Sequence, residues 1–144
     1  MFPGSPAGIP KDMKTMPELL REAGYSTHMV GKWHLGHSQW GQIPVGRGFK
    51  SHVGSFMWDL ESYTKNMWRD PFTLVAKDWG RFHENGTYRH FEEPRHSTIA
   101  LTDEAVNRMK EHVNSEEKDN PLFLYVSYNA AHSPYQVSKT YSYL

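Results

Sequence analysis

Apolar positions recur every three or four residues between positions 97 and 113, which is the spacing of one face of an α-helix. They are Ile99, Val106, Met109 and Val113, and Thr102 lies on the same face. Ser97 or Thr98 is a suitable cap for the first turn, because a hydroxyl oxygen accepts a hydrogen bond from an unpaired backbone N–H group. The pattern therefore predicts a helix whose apolar stripe faces a core.

Two further segments have the patterns of strands. Residues 122–126 form a continuous apolar run after the break at Asn120-Pro121, which is typical of a strand covered on both faces in a parallel sheet. Near the amino terminus, Thr15 and Glu18 have the spacing of a capping box, and Gly24 supplies a left-handed stop. A short helix is thus predicted to lead into a strand at residues 25–30.

Residues 37–96 separate these two regions and show no long helical period. Asn85-Gly86 predicts a β-hairpin, and residues 72–76 could form another strand. We interpret 37–96 as a long loop and hairpin excursion, rich in aromatic residues, and 1–14 as an irregular lead-in. The order helix, strand, excursion, helix, strand predicts one α/β domain over residues 1–144, with a mostly parallel sheet and helices on its faces.

The charge and composition narrow the classes of partner. The 144 residues contain 16 Lys and Arg and 16 Asp and Glu, so the chain has no general attraction for nucleic acid or an anionic membrane. No window has the apolar length of a transmembrane segment, and the first residues do not resemble a signal peptide. There is no cysteine for a disulfide or a thiolate ligand. The sequon Asn85-Gly86-Thr87 predicts a glycosylated surface turn.

The candidate chemistry lies where the two predicted strands end. Lys32 and His34 follow the first strand between two glycines, and a fixed cation beside a titratable ring suits a small oxyanion such as sulfate or phosphate. His132 follows the second strand. Because ligands of open α/β sheets bind at the carboxyl ends of the strands, we expect Lys32, His34 and His132 to meet around one anion.

The run GYSTHMVGKWHLG at residues 24–36 closely resembles a signature of the sulfatase family, the arylsulfatases in particular. Ala-Ala-His-Ser-Pro at 130–134 and the segment 44–54 resemble further family patterns, although Lys50 stands where an acidic residue is usual. The resemblance implies an alkaline-phosphatase-like α/β fold and hydrolysis of aryl or sugar sulfate esters. It also implies a formylglycine nucleophile, a bound calcium, and a lysosomal or secreted location.

The same resemblance implies roles for the candidate residues. Lys32 would contact a sulfate oxygen, and His34 would hydrogen-bond the formylglycine hydroxyl. His132 would contact the sulfate near the leaving oxygen and assist its protonation. The sequence contains neither a cysteine nor a Ser-x-Pro-x-Arg run, and we recognise no calcium ligands in it. We therefore expect an internal sulfatase segment that is inactive alone.

Other interpretations of the same residues stay open. A non-catalytic binder of sulfated glycans would use the same cation and rings, and a phosphoester or phosphonate hydrolase of the same superfamily would share the fold. A zinc site at His28, His34 and His37 is disfavoured, because their spacing does not place the three rings on one face; a packed, hydrogen-bonded His28 fits better. The excursion's tryptophans could stack on sugars, but packing in a small core is the commoner role. They are Trp40, Trp58, Trp68 and Trp79.

Overall fold

The computed structural model describes residues 6–57, 62–65, 78–90, 93–133 and 135–142. Five strands form one open sheet in the order β4-β3-β2-β1-β5. They are β1 (Ser26–Gly31), β2 (Ser51–Gly54), β3 (Gly80–His83), β4 (Tyr88–His90) and β5 (Leu122–Ser127). β1 is parallel to both β2 and β5, whereas β3 is antiparallel to β2 and β4. The predicted α/β class is confirmed, and the sheet is parallel over three of its five strands.

Helix α1 (Met16–Glu22) leads into β1 as predicted. The Glu18 carboxylate accepts a hydrogen bond from the Thr15 backbone N–H at 2.6 Å, which satisfies a donor at the start of the helix. Gly24 adopts a φ of 89°, the left-handed conformation that turns the chain out of the helix. Glycine tolerates this φ because it has no Cβ.

Helix α2 (Ser97–Val113) packs on one face of the sheet. Its buried side chains include Ala100, Leu101 and Ala105, which form a core cluster with Val30 and Trp79. The helix is confirmed, but the predicted core face is wrong. The apolar residues of the predicted stripe, Ile99, Val106, Met109 and Val113, are 37% to 62% exposed. A period of three to four residues also fits the opposite stripe, where the small alanines allow the helix to approach the sheet closely.

The cap of α2 also differs from the prediction. The Nδ1 atom of His96 accepts the Thr98 N–H at 3.3 Å, so His96 is the N-cap in place of Ser97 or Thr98. The ring of His96 is buried, and its Nε2 lies 3.1 Å from the carbonyl oxygen of Gln136, which can only accept. The imidazole of His96 thus accepts the hydrogen bond from the first turn of α2 that a hydroxyl group was expected to accept.

The other face of the sheet carries a second core cluster of Met29, Trp33 and Phe49. Phe49 stacks on Phe123 of β5 with 6.1 Å between ring centroids. Tyr125 of β5 is 44% exposed, so the prediction of a strand covered on both faces is wrong for the described residues. An apolar run specifies that a strand can be buried, but the neighbouring elements decide how far it is.

The 37–96 segment contributes more to the sheet than a hairpin. It includes β2, which pairs in parallel with β1 and was not predicted, because Ser51–Gly54 has one strongly apolar residue. The predicted hairpin is confirmed: β3 and β4 flank the turn at Asn85-Gly86. Of the tryptophans, Trp79 is a core residue and Trp40 is half-exposed. The strand predicted at 72–76, Trp58 and Trp68 lie outside the described residues.

No helix in the described ranges combines the length and the apolar character needed to cross a membrane.

Candidate functional site

The loop that follows β1 is held between the ends of the two neighbouring parallel strands. The backbone N–H of Lys32 donates to the carbonyl oxygen of Ser127, the last residue of β5, at 2.8 Å. The backbone N–H of His34 donates to the carbonyl oxygen of Phe56, two residues past β2, at 2.9 Å. The two predicted anion-binding residues therefore lie at the carboxyl edge of the sheet, in a loop fixed from both sides.

Trp33 anchors this loop in the core. Its ring is buried, its indole N–H donates to the carbonyl oxygen of Gln42 at 2.6 Å, and it meets Phe49 edge-on. Lys32 and His34 flank the buried ring and are themselves half-buried. His34 has a φ of 58°, an uncommon conformation for a residue with a side chain. The run Lys32-Trp33-His34 thus places one buried packing residue between two polar residues.

Two glycines let the three parallel strands converge here. Gly31 has a φ of 117°, and a Cβ at this position would lie 1.8 Å from the carbonyl oxygen of Ser127. Gly54 has a φ of 143°, and its Cβ would lie 2.3 Å from the carbonyl oxygen of Gly31. Any side chain at position 31 would push β5 away from Lys32. Position 31, immediately before Lys32, therefore requires a glycine for steric reasons.

His52 supports the same turn and was missed by the sequence analysis. Its ring is fully buried, and Nε2 lies 2.9 Å from the carbonyl oxygen of Gly31. Since that carbonyl can only accept, Nε2 carries the proton. Burial lowers the pKa of His52 to about 4, so the ring is neutral near pH 7. A histidine in a four-residue strand shows no pattern that would have marked it.

Asp78 fixes the loop after β2. Its carboxylate accepts the backbone N–H groups of Phe56 at 3.0 Å and Met57 at 2.7 Å. Burial raises the pKa of Asp78, while these two hydrogen bonds favour the ionised form. Because Phe56 accepts the hydrogen bond from His34, Asp78 stabilises the position of His34 through the backbone.

His132 is exposed on the loop that follows β5. Its Nδ1 lies 2.8 Å from the carbonyl oxygen of Ser133, so Nδ1 is the donor and Nε2 is the basic nitrogen of the neutral ring. The loop leaves the same sheet edge at which Lys32 and His34 lie, because β5 is parallel to β1. That the three side chains surround one anion stays a prediction.

The structure also describes the surroundings of His28 and Asn85, which the sequence analysis singled out. His28 lies 3.1 Å from the Ser26 hydroxyl and 2.7 Å from the Ser51 hydroxyl, and burial lowers its pKa to about 4. The packed, hydrogen-bonded interpretation of His28 is thus confirmed. Asn85 is exposed in the hairpin turn, and its side-chain oxygen accepts the Thr87 N–H at 3.0 Å. Glycosylation at Asn85 stays a prediction.

Within the part of the chain that the structure describes, no three His, Asp or Glu side chains are grouped to hold a metal ion. The calcium implied by the family resemblance therefore has no fitting set of ligands among these residues. We assign no residue and no catalytic step to it.

Comparison with known proteins decides the family. A model of the sulfatase family matches residues 2–143. The chain belongs to the sulfatase family. Arylsulfatase J of Mus musculus is 36% identical over 96% of this chain and 22% of its own length. N-acetylgalactosamine-6-sulfatase of Homo sapiens is 32% identical over 93% of this chain and 25% of its length. The chain thus spans about a quarter of these sulfatases.

Solved structures show the same architecture. Ps i-CgsB superimposes with a TM-score of 0.76 and 30% identity, over 95% of this chain and 31% of that one. Its complex with k-i-k-neocarrahexaose gives 0.75 and 29% over the same shares. PsFucS1 sulfatase from Pseudoalteromonas sp. shares the fold at a TM-score of 0.74 and 19% identity, over 98% of this chain and 32% of that one. The sheet and helices are therefore part of the alkaline-phosphatase-like fold of sulfatases.

Proposed function

We propose that this sulfatase segment supplies the sulfate-binding and proton-handling groups of a sulfuric ester hydrolase. The observation that carries the proposal is the fixed loop after β1. It holds Lys32 and His34 at the edge of the sheet from which the loop to His132 departs. The substrate is an ester of an aromatic or sugar hydroxyl group with sulfate, as the names of the arylsulfatase and N-acetylgalactosamine-6-sulfatase relatives suggest.

Each residue has a role that its chemistry allows. The ammonium group of Lys32 stabilises the negative charge that grows on the sulfate oxygens in the transition state. His34 orients the nucleophile through a hydrogen bond. His132, with its basic Nε2 directed by the bond from Nδ1 to Ser133, gives a proton to the leaving oxygen when the ring is charged.

The nucleophile and the calcium of the family lie outside these assignments. The chain has no cysteine and no Ser-x-Pro-x-Arg run, so we propose that another part of the complete enzyme supplies the nucleophile. The isolated 144 residues are then inactive. Purified chain that hydrolyses 4-nitrophenyl sulfate would contradict this. The lysosomal or secreted location stays a prediction of the resemblance.

Replacement of Lys32 in the complete enzyme tests the proposal. We expect Lys32→Ala to lower kcat/KM for 4-nitrophenyl sulfate by at least about tenfold, or ~1.4 kcal/mol of transition-state stabilisation, because a fixed cation is lost. Lys110→Ala is the control, since Lys110 is exposed near the carboxyl end of α2, away from the loop after β1. An equal effect of both substitutions, or less than tenfold for Lys32→Ala, would refute the assigned role.

A further inference from the structure

The side chain of Lys65 lies in the interior although it carries an amino group. The residue is 2% exposed, and its Nζ donates to four backbone carbonyl oxygens, which we call the carbonyl cage. They belong to Arg95 at 2.6 Å, Ser62 at 2.7 Å, Glu93 at 3.0 Å and Tyr63 at 3.3 Å. A lysine ammonium has three hydrogens to donate, so the three shorter contacts satisfy it. Backbone carbonyls grouped in this way also coordinate dehydrated potassium ions in proteins.

The carbonyl cage joins the segment 62–65 to the start of α2. Lys65 has a φ of 58°, and its side chain turns back to the carbonyl oxygen of Ser62, three residues earlier. The same carbonyl oxygen accepts the backbone N–H of Ser97, the first residue of α2, at 2.7 Å. The Lys65 ammonium also lies 5.2 Å from the centre of the Trp79 ring, which belongs to the core cluster under α2. One cation thus connects a loop, a helix start and the core.

The Lys65 side chain is charged when it occupies the carbonyl cage. Burial lowers the pKa of Lys65 to about 8, which leaves the ammonium as the dominant form at pH 7. A buried charge is tolerated when its hydrogen bonds are complete, as they are here. Without the ammonium, carbonyl dipoles would face one another with no donor between them. The cage therefore requires a cation rather than an apolar side chain.

A path of hydrogen bonds leads from Lys65 to the candidate site. The carbonyl oxygen of Lys65 accepts the backbone N–H of Asp78 at 3.4 Å. The Asp78 carboxylate accepts the backbone N–H groups of Phe56 and Met57 in the loop after β2. The Phe56 carbonyl oxygen accepts the backbone N–H of His34. Lys65 therefore reaches His34 through Asp78 and the loop after β2.

We propose that Lys65 is a positioning residue of the sulfatase site, with its ammonium acting as a built-in monovalent cation in the carbonyl cage. The cage fixes Asp78, Asp78 fixes the loop after β2, and this loop fixes His34. The proposal rests on the proposed function, because His34 is the residue assigned to orient the nucleophile. It adds a requirement for a buried cation that lies outside the anion-binding loop.

Replacement of Lys65 in the complete enzyme, followed by chemical rescue, tests the proposal. Lys65→Ala should lower kcat for 4-nitrophenyl sulfate at least about tenfold and change KM less than about twofold, because Lys32 is held separately by Ser127. Propylammonium has the carbons and the ammonium that the substitution removes, and it should restore at least about half of kcat. Tetramethylammonium at the same ionic strength carries the charge without an N–H donor and should restore nothing.

Two variants serve as controls. Lys65→Met fills the space of the lysine stem without the ammonium, so it should lose turnover and should not respond to propylammonium. Lys110→Ala removes an exposed lysine of α2 and should change neither kcat nor Tm. Rescue by tetramethylammonium, rescue of Lys65→Met, or a loss below about tenfold in Lys65→Ala would overturn the role of the cation.

A double-mutant cycle tests whether Lys65 acts through His34. In a His34→Ala background, Lys65→Ala should change the residual kcat less than about twofold, because the ring to be positioned is already absent. A general weakening of the fold would lower kcat in both backgrounds. An equal loss in the two backgrounds would therefore overturn the positioning role.

Refolding and thermal unfolding cover the remaining outcomes. If Lys65→Ala does not fold alone, propylammonium should raise its refolding yield several-fold and tetramethylammonium should not; equal yields would overturn the cage. If the wild type hydrolyses no sulfate ester, the proposed function fails, and the cage is tested by Tm. Propylammonium should then raise the Tm of Lys65→Ala but not that of Lys65→Met, and the absence of this difference would overturn the cage as well.

Discussion

Replacing Gly31 by alanine should damage the protein far more than the same change at Gly24. Both glycines have a positive φ, 117° and 89°, so both substitutions carry the cost of an unfavourable backbone conformation, about 1–2 kcal/mol. A Cβ at Gly24 would meet nothing within 4 Å, whereas a Cβ at Gly31 would lie 1.8 Å from the carbonyl oxygen of Ser127. The pair therefore separates backbone strain from steric exclusion.

The steric part can be estimated from the contacts at Gly31. Fewer than one in ten Cβ atoms in proteins lie closer than 3.4 Å to a neighbouring heavy atom. Because the Cβ of an alanine at position 31 would lie far inside this distance from Ser127, β1 and β5 must separate by more than 1 Å. That movement breaks the hydrogen bond from Lys32 to Ser127, which is worth about 0.5–1.5 kcal/mol net. The core contacts of β5 weaken as well, and we expect a total loss of about 4 kcal/mol against about 1–2 kcal/mol for Gly24→Ala.

Calorimetric unfolding of the two variants of the complete enzyme, with kcat/KM for an aryl sulfate, is the assay. Gly31→Ala should lower Tm several times more than Gly24→Ala and should lower activity at least about tenfold, because Lys32 moves with the strand end. Gly24→Ala should keep near wild-type activity. Similar Tm values for the two variants, or full activity in Gly31→Ala, would refute the close approach of β1 and β5.

Three further predictions follow from burial and exposure. Because burial lowers the pKa of His52 from 6.5 to about 4, the protein loses up to ~3 kcal/mol of stability as the pH falls from 6.5 to 4; His52→Gln should reduce the difference in Tm between pH 7.5 and 4.5, and an unchanged difference would contradict this. Leu101→Ala should cost about 2–5 kcal/mol and Met109→Ala less than 1 in thermal or denaturant unfolding, since only Leu101 is fully buried; the reverse order would restore the originally predicted core face. When the enzyme is made in a glycosylating host, Asn85 should carry a glycan that PNGase F removes, with Asn85→Gln as the control and intact mass as the readout.

Several parts of the fold follow from local chemistry and were predictable. The capping residues around Thr15, the stop at Gly24 and the turn at Asn85-Gly86 act through their immediate neighbours, so sequence alone located α1, the start of β1 and the hairpin. The candidate site was predictable to the extent that Lys32 and His34 follow a strand within a specific motif. That His132 leaves the same edge follows from the parallel pairing of β1 and β5.

Other parts depend on contacts between residues far apart in the chain. A spacing of three to four residues predicts a helix, but it does not tell which of two stripes of side chains faces the sheet. In α2 the stripe with the alanines is buried, because these small side chains let the helix lie close to the sheet. β2 is a central strand because it pairs with β1 and β3, not because its four residues are apolar. His52 became part of the site only when folding buried it against the carbonyl oxygen of Gly31.

The sequence by itself determined the family, the local turns and caps, and the identity of the cation and imidazoles that we propose as the anion-binding groups. These depend on side-chain type and short spacing. The tertiary structure alone decided the parallel alignment that puts two of their loops on one edge and the glycine contacts that fix the loop after β1. These depend on distances between segments up to about 100 residues apart in the chain, which no local pattern encodes.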